Sequence, residues 1–212
     1  ELCGDTLAQF GPTGDDAAGL ITWSFPFPFY GVDYTSAYVS TNGKIAFASS
    51  DPAWLNRCAS IDATQPVISV HWDDLVAQPE EDCGNGIPRI KYRDFGDYLV
   101  IEWKHVWHYP YPGEDQRYSF EAILFANGRI KLQYDSLNCG DYCNSATVGI
   151  DVPGANGLEY VCTGLPEANA LDHGRAVVFY PELQVPQAPQ ELVIHAQLPD
   201  IMLRWGSVAN AV

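Results

Sequence analysis

Trp107, Tyr109 and Tyr111 stand at alternate positions in "IEWKHVWHYPYPGEDQRY", Ile101 to Tyr118. Flat aromatic faces stack on the apolar faces of sugars, and nearby acids accept hydrogen bonds from hydroxyls, so these three residues could form a carbohydrate or protein platform. The same residues also suit two strands and a stiff loop, because aromatics make up 13% of the whole chain. Pro110, Pro112 and Gly113 set the turns of that loop.

Metal and acid–base chemistry can be weighed in the same way. On a strand, alternation puts Leu99, Ile101, Trp103, His105 and Trp107 on one face. Tyr98, Val100, Glu102, Lys104, Val106 and His108 fall on the other. His105 and His108 then point apart and share no metal. In "SVHWDD", His71 lies close to Asp73 and Asp74, but no G-x-S-x-G elbow supplies a serine for a Ser-His-Asp hydrolase. No other catalytic constellation is present. Asp73 and Asp74 could hold calcium through carboxylate oxygens, with Glu80, Glu81 or Asp82 from the next loop. The bland alternative is a strand end whose acids bond turn amides. Asp15 and Asp16 make a weaker case of the same kind. Calcium is the one cofactor that the residues suggest.

The formal charge is −16, from 27 acidic and 11 basic residues. That field repels phosphate backbones and anionic membrane surfaces, so nucleic acid is excluded as a partner. No apolar run approaches the ~18–20 residues of a membrane span, so no membrane insertion is expected. The chain opens at Glu1 with no Met and no basic leader, as a processed secreted chain or a trimmed one would. Six cysteines lie far apart with no C-x-x-C pair, which favours three disulfides over a zinc ribbon. Sequence alone leaves 15 pairings open. Our expectation is Cys58–Cys83, Cys139–Cys143 and Cys3–Cys162. No Asn-x-Ser/Thr sequon occurs.

The elements that must position these residues read as short strands. "LITWSF" precedes the Pro-broken "PFPFYG", and "AYVSTNGKIAF" carries Asn42-Gly43 between two apolar runs. Asn-Gly tolerates positive φ at both positions, which is a strong hairpin signal. Asn127-Gly128 repeats it between "RYSFEAILF" and "RIKLQYD". In the second arm Ile130, Leu132 and Tyr134 alternate with Lys131, Gln133 and Asp135. With "PVISVHW", "RIKY", "ATVGIDV", "LEYVCTG" and "RAVVFYP", about ten short strands and no convincing helix argue for an all-β, antiparallel, jelly-roll-like sandwich. The sandwich is expected over residues 1–180. "PELQVPQAPQ" reads as a Pro-rich linker, 181–190, followed by two more strand candidates in 191–212.

Taken in order, "FPFPFYGVDYTSAYVSTNGKIAF", "ISVHWDDL", "YSFEAILFANGRIKLQYDSL" and "ATVGIDVPGANGLEY" resemble the nidogen-like (NIDO-type) β-sandwich modules of secreted and cell-surface proteins, bacterial ones above all. The match covers about residues 20–180, and the cysteine-bearing loops depart from the plain pattern. The resemblance implies an extracellular, non-catalytic module. The tail "PQAPQELVIHAQLPDIMLRWGSV" resembles the start of a fibronectin type III domain, in which Trp205 would be a core residue. Only about 25 of the roughly 100 residues such a domain needs are present.

An orphan pair of strands must lean on something. It could pack on its own sandwich or be donated to a neighbour. The favoured expectation is therefore an extracellular or cell-surface structural or adhesive subunit, in which a docking tail of Leu192, Ile194, Met202, Leu203 and Trp205 contacts the next copy or another surface protein. The alternative is a glycan-binding module of a larger secreted protein that uses Trp107, Tyr109 and Tyr111.

Overall fold

The computed structural model describes residues 2, 5–59, 63–78, 89–110, 117–137, 145–155, 157–163, 171, 173–181 and 201–205. Among them lie fourteen strands in two sheets and no helix. The smaller sheet has the spatial order β12 (Leu158–Val161), β11 (Thr147–Asp151), β5 (Val67–Trp72), β4 (Lys44–Ala46), β3 (Val32–Ser40) and β2 (Ala18–Phe29). The larger has β1 (Gln9–Phe10), β7 (Ile90–Asp94), β8 (Tyr98–His108), β9 (Tyr118–Phe125), β10 (Ile130–Leu137), β13 (Arg175–Pro181) and β14 (Ile201–Trp205), with β6 (Leu75–Val76) also on β8. All pairs are antiparallel except β13–β14. The all-β sandwich expected from the sequence is the fold.

Both Asn-Gly turns close hairpins, β3–β4 and β9–β10. Gly43 and Gly128 have φ of 72° and 83°, where a side chain is strained. At Gly43 the demand is double, because a Cβ there would overlap the backbone carbonyl of His71. One strand is longer than its prolines suggest. β2 runs through Pro26 and Pro28 as one strand, although its pairing with β3 slips between Thr22 and Phe27, around Pro26. It can do so because it is an edge strand, where a missing N–H leaves no ladder bond unmade.

Residues from both sheets interdigitate in one core that includes Phe27, Phe29, Phe47, Trp103, Phe120 and Tyr134. Trp103 stacks on Phe120 with centroids 5.2 Å apart. Two hydrogen bonds cross the core from sheet to sheet. Trp103 Nε1 donates to the Ser40 carbonyl at 2.9 Å, and the Tyr134 hydroxyl donates to the Val70 carbonyl at 2.6 Å. These satisfy polar atoms whose burial alone would be unfavourable.

Strand β8 departs from the simple alternation. Trp103 faces Phe120 while Val106 faces Tyr118, so β8 has one extra residue against β9. His105 lies in this bulge with a φ of 53°. The bulge returns Val106 to the core and turns Trp107 to the other face, correcting the expectation that Trp103 and Trp107 share a side.

The C-terminal segment also differs from the expected layout. Strand β13 extends to Pro181, and Ile201–Trp205 joins the larger sheet of the same chain, parallel to β13, with Val177 opposite Ile201 and Pro181 opposite Trp205. Met202, Leu203 and Trp205 belong to this strand. Leu192 and Ile194 lie outside the described residues.

Candidate functional site

The end of β5 gathers the titratable residues. Asp73 follows β5 directly and is buried. Its Oδ2 accepts the Ser145 hydroxyl at 2.6 Å, and its Oδ1 lies 3.4 Å from His108 Nε2. Burial alone would push the Asp73 carboxyl up, but the hydrogen bonds from His108 and Ser145 outweigh it and hold the carboxyl below its usual range. Burial likewise opposes charge on His108, and the Asp73 carboxylate overcomes it, raising the imidazole. His71 is different. It packs among the rings of Tyr118, Phe120 and Tyr134, and neither ring nitrogen has a hydrogen-bond partner among the described residues. Burial drives it down to about 4, so it is neutral at neutral pH.

The order of this network decides its chemistry. In a Ser-His-Asp triad the imidazole stands between hydroxyl and carboxylate and takes the hydroxyl proton. Here the carboxylate stands in the middle, and Ser145 gives its hydrogen bond to Asp73. The arrangement ties β5, β8 and the approach to β11 together, with the Ser145 hydroxyl donating to a carboxylate. Sequence reading missed Ser145, which sits far along the chain with no local signal.

The acidic expectation divides in two. Both Asp73 oxygens are engaged as above. Asp74 instead meets Asp15 and Asp16, with carboxylate oxygens within 4.8 Å of one another. Asn42 holds this end together. Its side chain donates to Asp16 and to the Pro52 carbonyl, both at 2.8 Å, and accepts the Leu75 N–H at 2.7 Å. Burial first, then repulsion from Asp15 and Asp16, raises the Asp74 carboxyl. Three carboxylates supply only part of the six to eight oxygens that calcium takes. Glu80, Glu81 and Asp82 lie outside the described residues.

Of the aromatic stretch, Trp107 and Tyr109 lie among the described residues. Trp107 is 7% exposed, and the guanidinium carbons of Arg89 and Arg117 lie 5.4 and 5.9 Å from its ring centroid. Both guanidiniums are within cation–π range of the ring. Tyr109 is 52% exposed, and Tyr111 lies outside the described residues.

The cysteine pairing needs correction. Cys58 bonds to Cys162, with Cα atoms 5.0 Å apart and a sequence separation of 104. The expected Cys58–Cys83 and Cys3–Cys162 pairs are both overturned. The loop after β4 folds across the smaller sheet to its far edge, where Cys162 follows β12. Arg57 supports the same closure, with a nitrogen 3.5 Å from Asp151, and the Ala59 N–H donates to Glu159. Strand order, which spacing cannot reveal, brings these two cysteines together. Cys3, Cys83, Cys139 and Cys143 lie outside the described residues.

The sheet edges decide where another chain could attach. Edge strand β2 carries Pro26 and Pro28, β1 has two residues, and β12 has four beside the Cys58–Cys162 bond. These are poor templates for strand addition. The remaining edge of the larger sheet is five-residue β14, which covers seven-residue β13. A family model described as NIDO related matches residues 3–174 of the chain. No solved structure matches it.

Proposed function

The chain belongs to the NIDO-related family, and from that premise we propose that it is a non-catalytic, extracellular structural module that assembles with further copies through its C-terminal strand. The Cys58–Cys162 bond supports an oxidising location. The carboxylate-centred order of Ser145, Asp73 and His108 supports a structural role for this polar cluster.

The observation that carries the reading is the β13–β14 pair. A parallel partner must arrive by a long crossover, and residues 182–200 supply it. A segment of that length also reaches a neighbouring molecule, so β14 of one copy can occupy β13 of the next. Such a head-to-tail contact yields an open chain of subunits where the rotation between copies does not close a ring. The own-chain strand competes at an effective concentration on the order of a millimolar. Dilute protein is therefore monomeric, and exchange takes over when copies are crowded, as on a surface.

The test is negative-stain microscopy and size-exclusion chromatography of the native protein at about 1 mM. Filaments or ladders of oligomers are expected. Leu203→Pro, made together with Met202→Pro because neighbouring N–H groups of a strand point to opposite sides, removes one ladder bond to β13 and should leave monomers. Equal assembly by that variant would place the contact elsewhere.

A further inference from the structure

We propose that a groove on the outer face of the larger sheet, bounded by two facing β-bulges, binds an uncharged saccharide. This goes beyond the assembly reading and is independent of it.

Both neighbours of β9 carry one extra residue at the same step. On β8, Trp103 and Val106 face Phe120 and Tyr118; on β10, Tyr134 and Leu137 face the same two residues. Ser119 is thus flanked by bulges on both sides. A bulge bends its strand and re-aims side chains, and such features are kept at functional sites. The backbone strain at His105 belongs to this feature, and its N–H donates to Ser119 Oγ at 3.2 Å. Inference from such an outlier towards function is the sound direction.

The bulges border a groove of about 390 Å3, within the range of small-ligand sites. Its floor is polar and sunken, with Ser119 2% and Glu102 5% exposed. Glu102 and Glu121 face each other in the β8–β9 register, and Glu121 faces Gln133 in the β9–β10 register. Like charges directly opposite are unfavourable in a sheet, so this pair calls for donors from above. The Leu2 N–H reaches Glu102 at 2.9 Å from one side, and the Gln133 amide donates to Glu121. On the rim, Lys104 and Asp135 meet across β9 at 3.7 Å, and Lys131 stands on the other flank.

Acceptors in the floor and mixed donors and acceptors on the rim suit a ligand whose groups both give and take hydrogen bonds, which is the chemistry of sugar hydroxyls. The groove's lining balances Glu102, Glu121 and Asp135 against Lys104, Lys131 and Arg175, and the net charge of −16 disfavours an acidic sugar. No side chain assigned to the groove offers an exposed aromatic face, so hydrogen bonds carry the affinity.

The experiment is isothermal titration of the full chain with cellotriose, maltotriose and triacetylchitotriose, each to about 10 mM, with glucuronate as the acidic control. Saturable binding of at least one trisaccharide and none of glucuronate is expected. Glu121→Gln and Lys131→Gln should each weaken it about tenfold, as loss of one charge-assisted hydrogen bond does, while Tyr109→Ala leaves it unchanged. Both groove changes sit on half-buried outer positions, and thermal melting will show that the fold is intact. No saturable binding by any of the three overturns the proposal. So does binding that Tyr109→Ala abolishes and the groove variants leave intact. The assembly assay with Met202→Pro and Leu203→Pro together is unaffected by either result.

Discussion

His108 and Asp73 meet at 3.4 Å with the carboxylate's other oxygen taken by Ser145, while His71, two residues before Asp73, has no hydrogen-bond partner among the described residues. Two histidines at one end of the sandwich are therefore pushed in opposite directions.

Stability should fall on both sides of about pH 6.5. His71 is lowered from 6.5 to about 4. Between those values the unfolded chain binds the proton that the folded chain refuses, so acid destabilises by about 1.4 kcal/mol per pH unit. His108 is raised above 6.5, so its contribution is complete below 6.5 and is lost as pH rises through the folded value. Asp73, lowered from 3.8, loses its contribution only as pH falls through its folded value. Denaturant midpoints from pH 4 to 9 should peak near 6.5. His71→Leu should flatten the acid limb and His108→Gln the alkaline one. An unchanged acid limb in His71→Leu would show that another group sets it.

Replacing Cys58 and Cys162 together by Ser should lower unfolding free energy by about 2–5 kcal/mol, because the bond spans a separation of 104 residues. Urea unfolding of the double variant checks this. A loss below 0.5 kcal/mol, about the scatter of a neutral surface change, would mean that the loop is held by Arg57 and Glu159 instead.

Asp74→Asn should stabilise the protein at neutral pH and not at pH 3. Its raised carboxyl binds the proton more tightly in the folded chain, so stability is lost as pH rises from 3.8 through the folded value. Thermal melts at the two pH values test the sign. Added calcium should raise the melting temperature of the wild type more than that of the variant. If both rise equally, Asp15, Asp16 and Asp74 are not where the ion acts.

Gly43→Ala should cost about 2–4 kcal/mol, since φ is 72° and the new methyl would meet the His71 carbonyl. Gly31→Ala, also at positive φ but with open space around it, should cost less. Comparing their melting curves separates backbone strain from the clash.

What was legible in the sequence was local. Asn42-Gly43 and Asn127-Gly128 announce their hairpins through their own conformational freedom, and Ile130, Leu132 and Tyr134 announce a core face by alternation. What was not legible depends on counting across strands. The extra residue at His105 moves Trp107 off the core face, and only the pairing with β9 reveals it. Cys58 finds Cys162 because β12 lies at the sheet edge the loop can reach. Trp107 is buried beside Arg89 and Arg117 for the same reason, since register and not composition places it there.

The two bonds that cross the core, Trp103 to Ser40 and Tyr134 to Val70, have a mechanical meaning. A single pin between two plates lets them swivel, whereas two pins at separate points also fix their angle. The sheets are registered in this way by directional contacts, where apolar packing alone would tolerate sliding. A tug on one face is transmitted to the other with little slack.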